Sequence, residues 1–376
     1  MDNSAAYALK IIKMMANSEF DAEAYEKSNT FRTICRYQEC MAENPDEGSD
    51  ATFQYWWKRG LKKELHDTQQ DAYKWASYLP RRYVEGYRDN RRYPLLFILH
   101  GANNPIYLAE TYGYTHIAAR EELIAIIPEN ESAASIEYLL NYADEHYPVD
   151  RSRIYMVGYS LGGLMTSRHA LRWPERFAAV GVGGMLFSNG SIASYWHHGS
   201  EWPGENITEE MIVRAAEIKI PVCECMGEHE FINLLPILRD QSPFKQQPAS
   251  MVKDCHPDPY LDLTAKNKLA SVNNWRRIAG CPPISEQDVA EAARYSPDIV
   301  TEKLGFPFER THVVNYEGRS HYIGDCVNPD GEILARFICM GKSAHWPCAA
   351  LTELTWDFIR RFARDTNDGH LIRVNS

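Results

Sequence analysis

The chain has 376 residues, of which 44% are hydrophobic and 24% are charged, and its formal net charge is −11 at pH 7. This composition is typical of a globular protein with a substantial core and does not suit extensive disorder. The acidic balance is unfavourable for phosphate-rich partners, and no apolar run reaches the length of about 18 residues that a membrane span needs, so neither nucleic acid nor a membrane is an expected partner.

The cysteines and the N-terminal residues indicate a reducing compartment. Nine cysteines occur at irregular spacing, and Lys10 and Lys13 interrupt the first apolar stretch, which therefore does not form a secretory signal. We expect reduced thiols and a cytoplasmic protein. Cys223 and Cys225 lie in a strand-like run that would place both on one face, but no second ligand pair accompanies them. No metal site is expected.

The first 50 residues predict a helical extension that carries no catalytic motif. Apolar residues recur near helical spacing from residue 4 to about residue 43, and a loop rich in proline, glycine and aspartate follows at Asn44–Asp50. We expect 1–50 to pack on, or cap, a main domain that spans 51–376.

Strand-like and helical patterns alternate through the main domain. Strands are predicted at 74–80, 93–100, 122–128, 153–158, 177–183, 218–226, 311–316 and 333–340. Those at 93–100 and 122–128 contain continuous apolar runs, which are typical of parallel strands covered on both faces. Helical patterns such as 133–145 and 163–172 lie between most of them. The alternation predicts the α/β class, with a doubly wound, mostly parallel sheet.

Two stretches depart from this alternation. Residues 185–210 are rich in aromatic residues and glycine, and residues 231–300 form a long insertion with many prolines and a capping-box-like helix start at Ser285. Long loops on a rigid scaffold are usually functional or disordered, and the aromatic content favours ordered insertions. We expect a lid-like cover over a pocket, with Trp196 and Trp202 as candidate substrate contacts.

The segment Gly158-Tyr-Ser160-Leu-Gly162 matches the pattern G-x-S-x-G. By itself the match is weak, because a glycine-rich turn with an idle serine has the same sequence. Here an apolar strand precedes it and a helical pattern follows, which is the strand–turn–helix setting of a nucleophile elbow. The glycines leave room where side chains would crowd the strand and helix. The setting predicts Ser160 as a nucleophile at the carboxyl end of the sheet.

A second signal follows the buried strand at 93–100. In a nucleophile-elbow fold, the loop after this strand gives one backbone N–H to the oxyanion hole, and the residue after the nucleophile gives another. Those donors would be Ala102 and Leu161, and backbone groups suit the role because they are rigid. His100 precedes the serine, whereas this fold orders its triad as serine, acid and histidine. We expect His100 to shape the loop.

Three segments carry a resemblance to a known family. Tyr93–Gly101, Val149–Gly163 and His345-Trp346-Pro347 resemble the polyhydroxybutyrate depolymerase and feruloyl esterase group of α/β-hydrolases, over roughly residues 70–365. The resemblance implies hydrolysis of hydroxyacyl, phenolic or short acyl esters by a catalytic triad without a cofactor. No polymer-binding module is visible, so small soluble esters are the expected substrates.

The base and the acid of such a triad have several candidates. His345 follows the last predicted strand, precedes a helical stripe and matches the family's histidine motif, while His321 is its competitor. The family's Gly-x-x-Asp pattern falls on Glu230, a glutamate that this fold accepts in place of aspartate. Glu228 and Asp240 are the alternatives for the acid.

These residues together predict a serine esterase in which His345 activates Ser160 and Glu230 orients His345. A peptidase or an acyltransferase on the same fold is the nearest rival. A catalytically idle hydrolase fold that serves as a binding module is a rival of a different class. The only partner expected is a small-molecule ester, although the sequence is compatible with a homo-oligomer.

Overall fold

The computed structural model describes residues 4–14, 16, 19–29, 31–32, 50–68, 73–86, 90–101, 106–184, 207–230, 265–295 and 298–374. Ala102, Trp196, Trp202 and Asp240 lie outside these residues, as does most of the two predicted insertions. For those positions the sequence-based expectations stay predictions.

A large mixed sheet forms the centre of the described structure. Its strands are β1 Leu61–Thr68, β2 Tyr73–Pro80, β3 Tyr93–Leu99, β4 Ile124–Pro128, β5 Val149–Tyr159, β6 Ala179–Gly183, β7 Val222–Gly227, β8 Arg310–Tyr316, β9 Arg319–Val327 and β10 Ile333–Met340. They are ordered β1-β2-β4-β3-β5-β6-β7-β10-β9-β8. The six central strands run parallel to one another, and they are β4, β3, β5, β6, β7 and β10. Antiparallel pairs flank them at both edges. A short hairpin, β11 Phe362–Arg364 and β12 Leu371–Arg373, lies apart from the sheet.

Helices connect most of these strands. In chain order they are α1 Ser4–Met14, α2 Ala22–Glu26, α3 Asp50–Lys58, α4 Arg81–Val84, α5 Ile106–Glu110, α6 Tyr114–Glu121, α7 Ala133–His146, α8 Leu161–Arg172, α9 Glu209–Ile218, α10 Ala265–Ile278, α11 Glu286–Tyr295, α12 Ile299–Leu304 and α13 Ala349–Ile359. None of the helices in these described ranges is both long and apolar enough to cross a bilayer.

Strand β7 shows that helices cover both faces of the sheet. The Cys225 thiol lies 3.3 Å from the Thr355 hydroxyl of α13, whereas the Glu224 carboxylate accepts a hydrogen bond from the Trp275 indole of α10. Neighbouring side chains of a strand point to opposite faces, so α10 and α13 lie on opposite sides. Strands β3, β4 and β7 are buried along their whole length. The predicted α/β class with a mostly parallel sheet is therefore confirmed.

Strands β1 and β9 were not among those predicted. Strand β1 is an edge strand whose sequence is mostly polar and whose burial alternates, so it has no continuous apolar run. Strand β9 follows β8 through a two-residue turn, where Glu317 and Gly318 have φ of 52° and 76°. Two successive positive φ values are typical of a tight hairpin turn. The hairpin places His321 inside β9 rather than in a loop.

The N-terminal segment joins the same core as the sheet. Ala8 and Ile12 of α1 and Tyr25 of α2 are buried in the main hydrophobic cluster. The helical pattern expected from residue 4 to about 43 is broken in its described part, because α1 ends at Met14 and α2 has only five residues. The proposed boundary at residue 50 falls at the start of α3.

The described part of the second insertion packs against the main domain. Helix α10 contacts α9 and reaches β7 through Trp275, and α12 packs against β8, β9 and β10. The predicted helix start is confirmed, since the Asp288 N–H donates to the Ser285 hydroxyl at 3.1 Å and the Ser285 N–H donates back to Asp288 at 2.6 Å. These helices cover the sheet, and the lid predicted for the insertions at 185–210 and 231–300 stays a prediction, because most of those residues lie outside the described ones.

Candidate active site

The turn between β5 and α8 has the geometry of a nucleophile elbow. Ser160, at this turn, has φ 58° and ψ −122°, a conformation that residues other than glycine rarely adopt. Its N–H donates to the Gly183 carbonyl at 2.8 Å, which fixes the turn against the end of β6. A Cβ at Gly158 would lie 2.2 Å from the Gly162 carbonyl oxygen, and one at Gly162 would lie 2.4 Å from that of His100. Both glycines are therefore sterically required.

His345 and Glu230 form a buried pair beyond the ends of β10 and β7. The His345 Nδ1 lies 2.6 Å from the Glu230 Oε2, and the two residues are 3% and 1% exposed. A carboxylate only accepts hydrogen bonds, so this contact fits a His345 ring with its proton on Nδ1. That tautomer leaves Nε2 with the lone pair that a general base needs.

Ser160 and His345 lie against the same short segment, Gly183–Gly184. Ser160 is hydrogen-bonded to Gly183, and a Cβ at Gly184 would lie 3.0 Å from the His345 Cε1. The ring of Tyr159, the residue before Ser160, contacts the His345 ring with centroids 5.1 Å apart. The serine, the acid and the histidine follow the carboxyl ends of parallel strands, where ligands bind in open α/β sheets.

Backbone hydrogen bonds join the loop of the acid to the loop of the histidine. The Glu228 N–H donates to the Met340 carbonyl at 3.0 Å, and the His229 N–H donates to the Ser343 carbonyl at 2.8 Å. The Glu228 side chain pairs with Lys303 and accepts the Lys342 N–H. Burial raises the pKa of Glu228, but these hydrogen bonds outweigh burial, and its pKa is lowered. Of the two carboxylates in this loop, Glu230 is the one hydrogen-bonded to His345.

The competing histidine has a different environment. His321 is fully buried within β9, in register with Met340 of β10. Burial, helped by the nearby Arg319, lowers the pKa of His321 to about 4. A base with such a pKa is poorly matched to proton transfer near neutral pH.

Of the two oxyanion donors predicted from the sequence, only Leu161 lies in the described residues. Leu161 is the first residue of α8, where backbone N–H groups have no acceptor within the helix. Before the undescribed Ala102, the Gly101 N–H donates to the Tyr112 hydroxyl at 3.0 Å. The His100 ring lies 2.7 Å from the Gly101 carbonyl oxygen and 3.0 Å from that of Glu129. His100 thus contacts the loop backbone, as expected of a residue that shapes the loop.

A buried carboxyl lies beneath the same loop. Glu131 accepts the His100 backbone N–H. Burial raises the pKa of Glu131 to about 7, against the lowering effect of His100.

Three contacts of the acid loop were not foreseen from the sequence. The Tyr159 hydroxyl donates to the Glu230 Oε1 at 3.1 Å. Ala16 of the N-terminal segment forms an isolated antiparallel bridge with Glu230, and Phe20 lies against the His229 ring with centroids 6.2 Å apart. Tyr159 could have been noticed as the residue before the serine in G-x-S-x-G. No sequence pattern predicts the contacts of Ala16 and Phe20 with this loop.

Metal-ligand geometry in the described ranges is confined to one exposed cluster. Asp365, Asp368 and His370 lie close together around the β11–β12 hairpin, where Asp368 and His370 are hydrogen-bonded to each other. Exposed acidic clusters of this kind are common without an ion. Cys223 and Cys225 do share a face, with sulfur atoms 3.7 Å apart, as the sequence predicts.

A serine on a strand–turn–helix elbow, with a buried acid–histidine pair at the same edge of a mostly parallel sheet, is the arrangement of the α/β-hydrolase fold. No protein-family model and no curated protein matches the chain.

Several solved structures of hydrolases are similar to the chain. An acetyl xylan esterase from Aspergillus awamori is 14% identical with a TM-score of 0.42, covering 80% of this chain and 99% of its own. A ferulic acid esterase is 16% identical with a TM-score of 0.34, and the match covers 44% of this chain and 78% of the esterase. An S-formylglutathione hydrolase from Staphylococcus aureus is 15% identical with a TM-score of 0.34, and the match covers 44% of this chain and 76% of the hydrolase. At these values the activities of those proteins do not transfer to this chain.

Proposed function

We propose that the chain is a serine-dependent carboxylic ester hydrolase that acts on small soluble esters through an acyl-enzyme. The observation that carries the proposal is the buried hydrogen bond of 2.6 Å between Glu230 and His345, next to the Gly183–Gly184 segment to which the elbow serine is also bonded. An idle fold would have no need to keep a carboxyl and an imidazole buried together beside a strained serine, because burying polar groups is costly.

The proposed reaction uses the three side chains in sequence. The His345 Nε2 takes the Ser160 proton while the serine oxygen attacks the ester carbonyl, and the Leu161 and Ala102 N–H groups stabilise the oxyanion. His345 then gives its proton to the leaving alcohol. A water molecule, deprotonated by the same nitrogen, then attacks the acyl-enzyme; the bond from the acyl carbon to the Ser160 oxygen breaks, His345 returns the proton to that oxygen, and the acid is released. Glu230 holds the tautomer and stabilises the histidine cation throughout.

The proposed restriction to small esters concerns the residues that would cover the pocket. It rests on the aromatic insertions at 185–210 and 231–300, with Trp196 and Trp202 as proposed substrate contacts. Short-chain and phenolic esters would enter a covered pocket, whereas an insoluble polyester would not. Comparing hydrolysis of a short-chain ester with erosion of a polyester film measures this restriction, and equal rates on both would contradict it.

The nucleophile is tested by Ser160→Ala, with Ser167→Ala as the matched control on the same helix. Ser167 is buried, and its hydroxyl donates to the Gly163 carbonyl at 3.3 Å. We expect Ser160→Ala to lower turnover of a p-nitrophenyl ester by roughly a thousandfold or more, whereas Ser167→Ala keeps the rate. A fluorophosphonate probe should label the wild type and not Ser160→Ala. Retained turnover in Ser160→Ala would refute the proposal.

The base is tested by comparing His345→Ala with His321→Ala. His345→Ala should lose turnover to a similar extent as Ser160→Ala, because the serine then lacks its proton acceptor. His321→Ala should affect stability more than turnover per folded molecule. The opposite pattern would reassign the base. Labelling without ester hydrolysis, but with cleavage of peptides or acyl transfer to amines, would identify the peptidase or acyltransferase alternative.

A further inference from the structure

Tyr159 contacts both the acid and the histidine of the proposed triad. It is the last residue of β5, directly before Ser160, and it is 3% exposed. Its hydroxyl donates to the Glu230 Oε1 at 3.1 Å, and its ring lies 5.1 Å from the His345 ring.

The two oxygens of Glu230 have separate partners. Oε2 faces the His345 Nδ1, whereas Oε1 accepts the Tyr159 hydroxyl at 3.1 Å and the Gly227 N–H at 3.2 Å. A glutamate has one more rotatable bond than the aspartate usual at this place, so holding its carboxylate in one orientation costs more conformational entropy. Two donors on Oε1 supply that restraint and fix the direction in which Oε2 points.

The fold makes a specific space for the Tyr159 ring. A Cβ at Gly183 would lie 2.6 Å from the ring, and one at Gly184 would lie 2.8 Å from it. The same two glycines form the segment that Ser160 and His345 contact. The ring of Tyr112 packs edge-on at 6.3 Å. The position of the hydroxyl therefore follows from the packing of the ring against Gly183–Gly184 and Tyr112.

The titratable groups that face Tyr159 are Glu230, His345, Cys348, Tyr25 and Tyr112. Burial, followed by the charge of Glu230, raises the pKa of Tyr159 well above its usual value. Tyr159 therefore acts as a neutral hydrogen-bond donor over the whole range in which an esterase is assayed.

We propose that Tyr159 is a positioning residue, which orients Glu230 and draws charge away from its Oε2, and thereby sets how strongly the acid stabilises protonated His345. The proposal rests on the triad of Ser160, Glu230 and His345. Tyr159 has no contact with a reacting atom in this scheme, and its effect reaches the serine only through the other two residues.

The first test is Tyr159→Phe in the full chain, with kcat, KM and the pH dependence of kcat/KM measured on a short-chain ester. We expect kcat to fall roughly tenfold at unchanged KM, because the carboxylate loses one of its orienting donors. The carboxylate also becomes more basic and stabilises the histidine cation more strongly. The acid limb, the low-pH side of the pH profile of kcat/KM, should therefore move to higher pH by roughly half a unit.

The matched control is Tyr155→Phe, four residues earlier on β5. Its hydroxyl is also buried and donates to the Phe362 carbonyl at 2.8 Å, away from the acid. We expect Tyr155→Phe to lower the melting temperature while leaving kcat and the acid limb unchanged. An equal shift of the acid limb in both variants would overturn the proposal, because it would reflect a general loss of packing.

A fluorinated tyrosine incorporated at position 159 tests the same contact without removing it. Fluorination makes the hydroxyl a stronger donor, so the acid limb should move down, opposite to Tyr159→Phe. This readout also decides the matter if Tyr159→Phe fails to fold, since the absence of a downward shift would overturn the proposal. Ser160→Ala is assayed alongside: if it is inactive while Tyr159→Phe behaves as the wild type, only this inference fails. An active Ser160→Ala would remove the proposed function.

Discussion

Replacing Glu224 by glutamine should remove a pH-dependent cost of folding. Glu224 lies in the middle of β7, is 2% exposed, and accepts the Trp275 indole N–H at 2.7 Å. Burial raises its pKa from 4.5 to about 8, although the hydrogen bond from Trp275 lowers it in part. The folded chain therefore keeps a proton on Glu224 at neutral pH, whereas the unfolded chain releases it.

The direction and size of the effect follow from these two pKa values. A group whose pKa is higher in the folded state contributes most stability below its unfolded pKa. Stability is then lost as pH rises through the window from 4.5 to about 8. At about 1.4 kcal/mol per pKa unit, the free energy of unfolding should fall by about 3 kcal/mol between roughly pH 5 and pH 7.5 because of Glu224 alone. Glutamine has no proton to lose in this range.

The measurement is urea-induced unfolding of the wild type and Glu224→Gln at several pH values in this window. Absolute stabilities are less informative, because the glutamine amide brings a buried donor of its own. The difference between the two proteins should grow in favour of the variant by about 3 kcal/mol as pH rises. Glu137→Gln, at an exposed position of α7, is the control and should give a constant difference. A constant difference for Glu224→Gln as well would refute the reasoning.

Three further changes probe the support of the site and of the sheet. Gly162→Ala should destabilise the chain by about 2 kcal/mol and lower kcat, because its Cβ meets the backbone of Leu99 and His100; thermal unfolding and ester hydrolysis measure both effects. Tyr112→Phe should lower kcat severalfold at unchanged KM, since Gly101 loses its hydrogen-bond acceptor next to the oxyanion loop, and an unchanged kcat would contradict this. Asp325→Asn should cost about 3 kcal/mol in unfolding free energy, because Arg336 then stays buried without its ion pair, while turnover per folded molecule is retained.

The central strands could be predicted because burial on both faces leaves a local signal. Strands β3 and β4 are continuous apolar runs, β7 is apolar except for Glu224, and each was predicted within a few residues of its observed bounds. Strands β1 and β9 lack that signal. Strand β1 pairs on one side only, and β9 carries buried polar residues, such as Asp325, whose partner lies on another strand. Their existence depends on pairing, which composition does not reveal.

The choice between Glu228 and Glu230 shows the same limit within the site. The two carboxylates are two residues apart in one loop, and the sequence offers no physical reason to prefer either. Contacts from distant parts of the chain separate them. Lys303 and the Lys342 N–H bind Glu228, whereas His345 and Tyr159 bind Glu230. The resemblance to a family pattern favoured Glu230, but the physical cause is tertiary.

The acid loop is held by four stretches of sequence that are far apart in the chain. Ala16 pairs with it from the N-terminal segment, Tyr159 from the elbow, Lys303 from α12 and Ser343 from the histidine loop. A glutamate at this position needs such support, because its longer side chain loses more conformational entropy than an aspartate when it is held against the histidine. The bridge from Ala16 also links this loop to the N-terminal segment, whose Ala8 and Ile12 are buried in the main hydrophobic cluster.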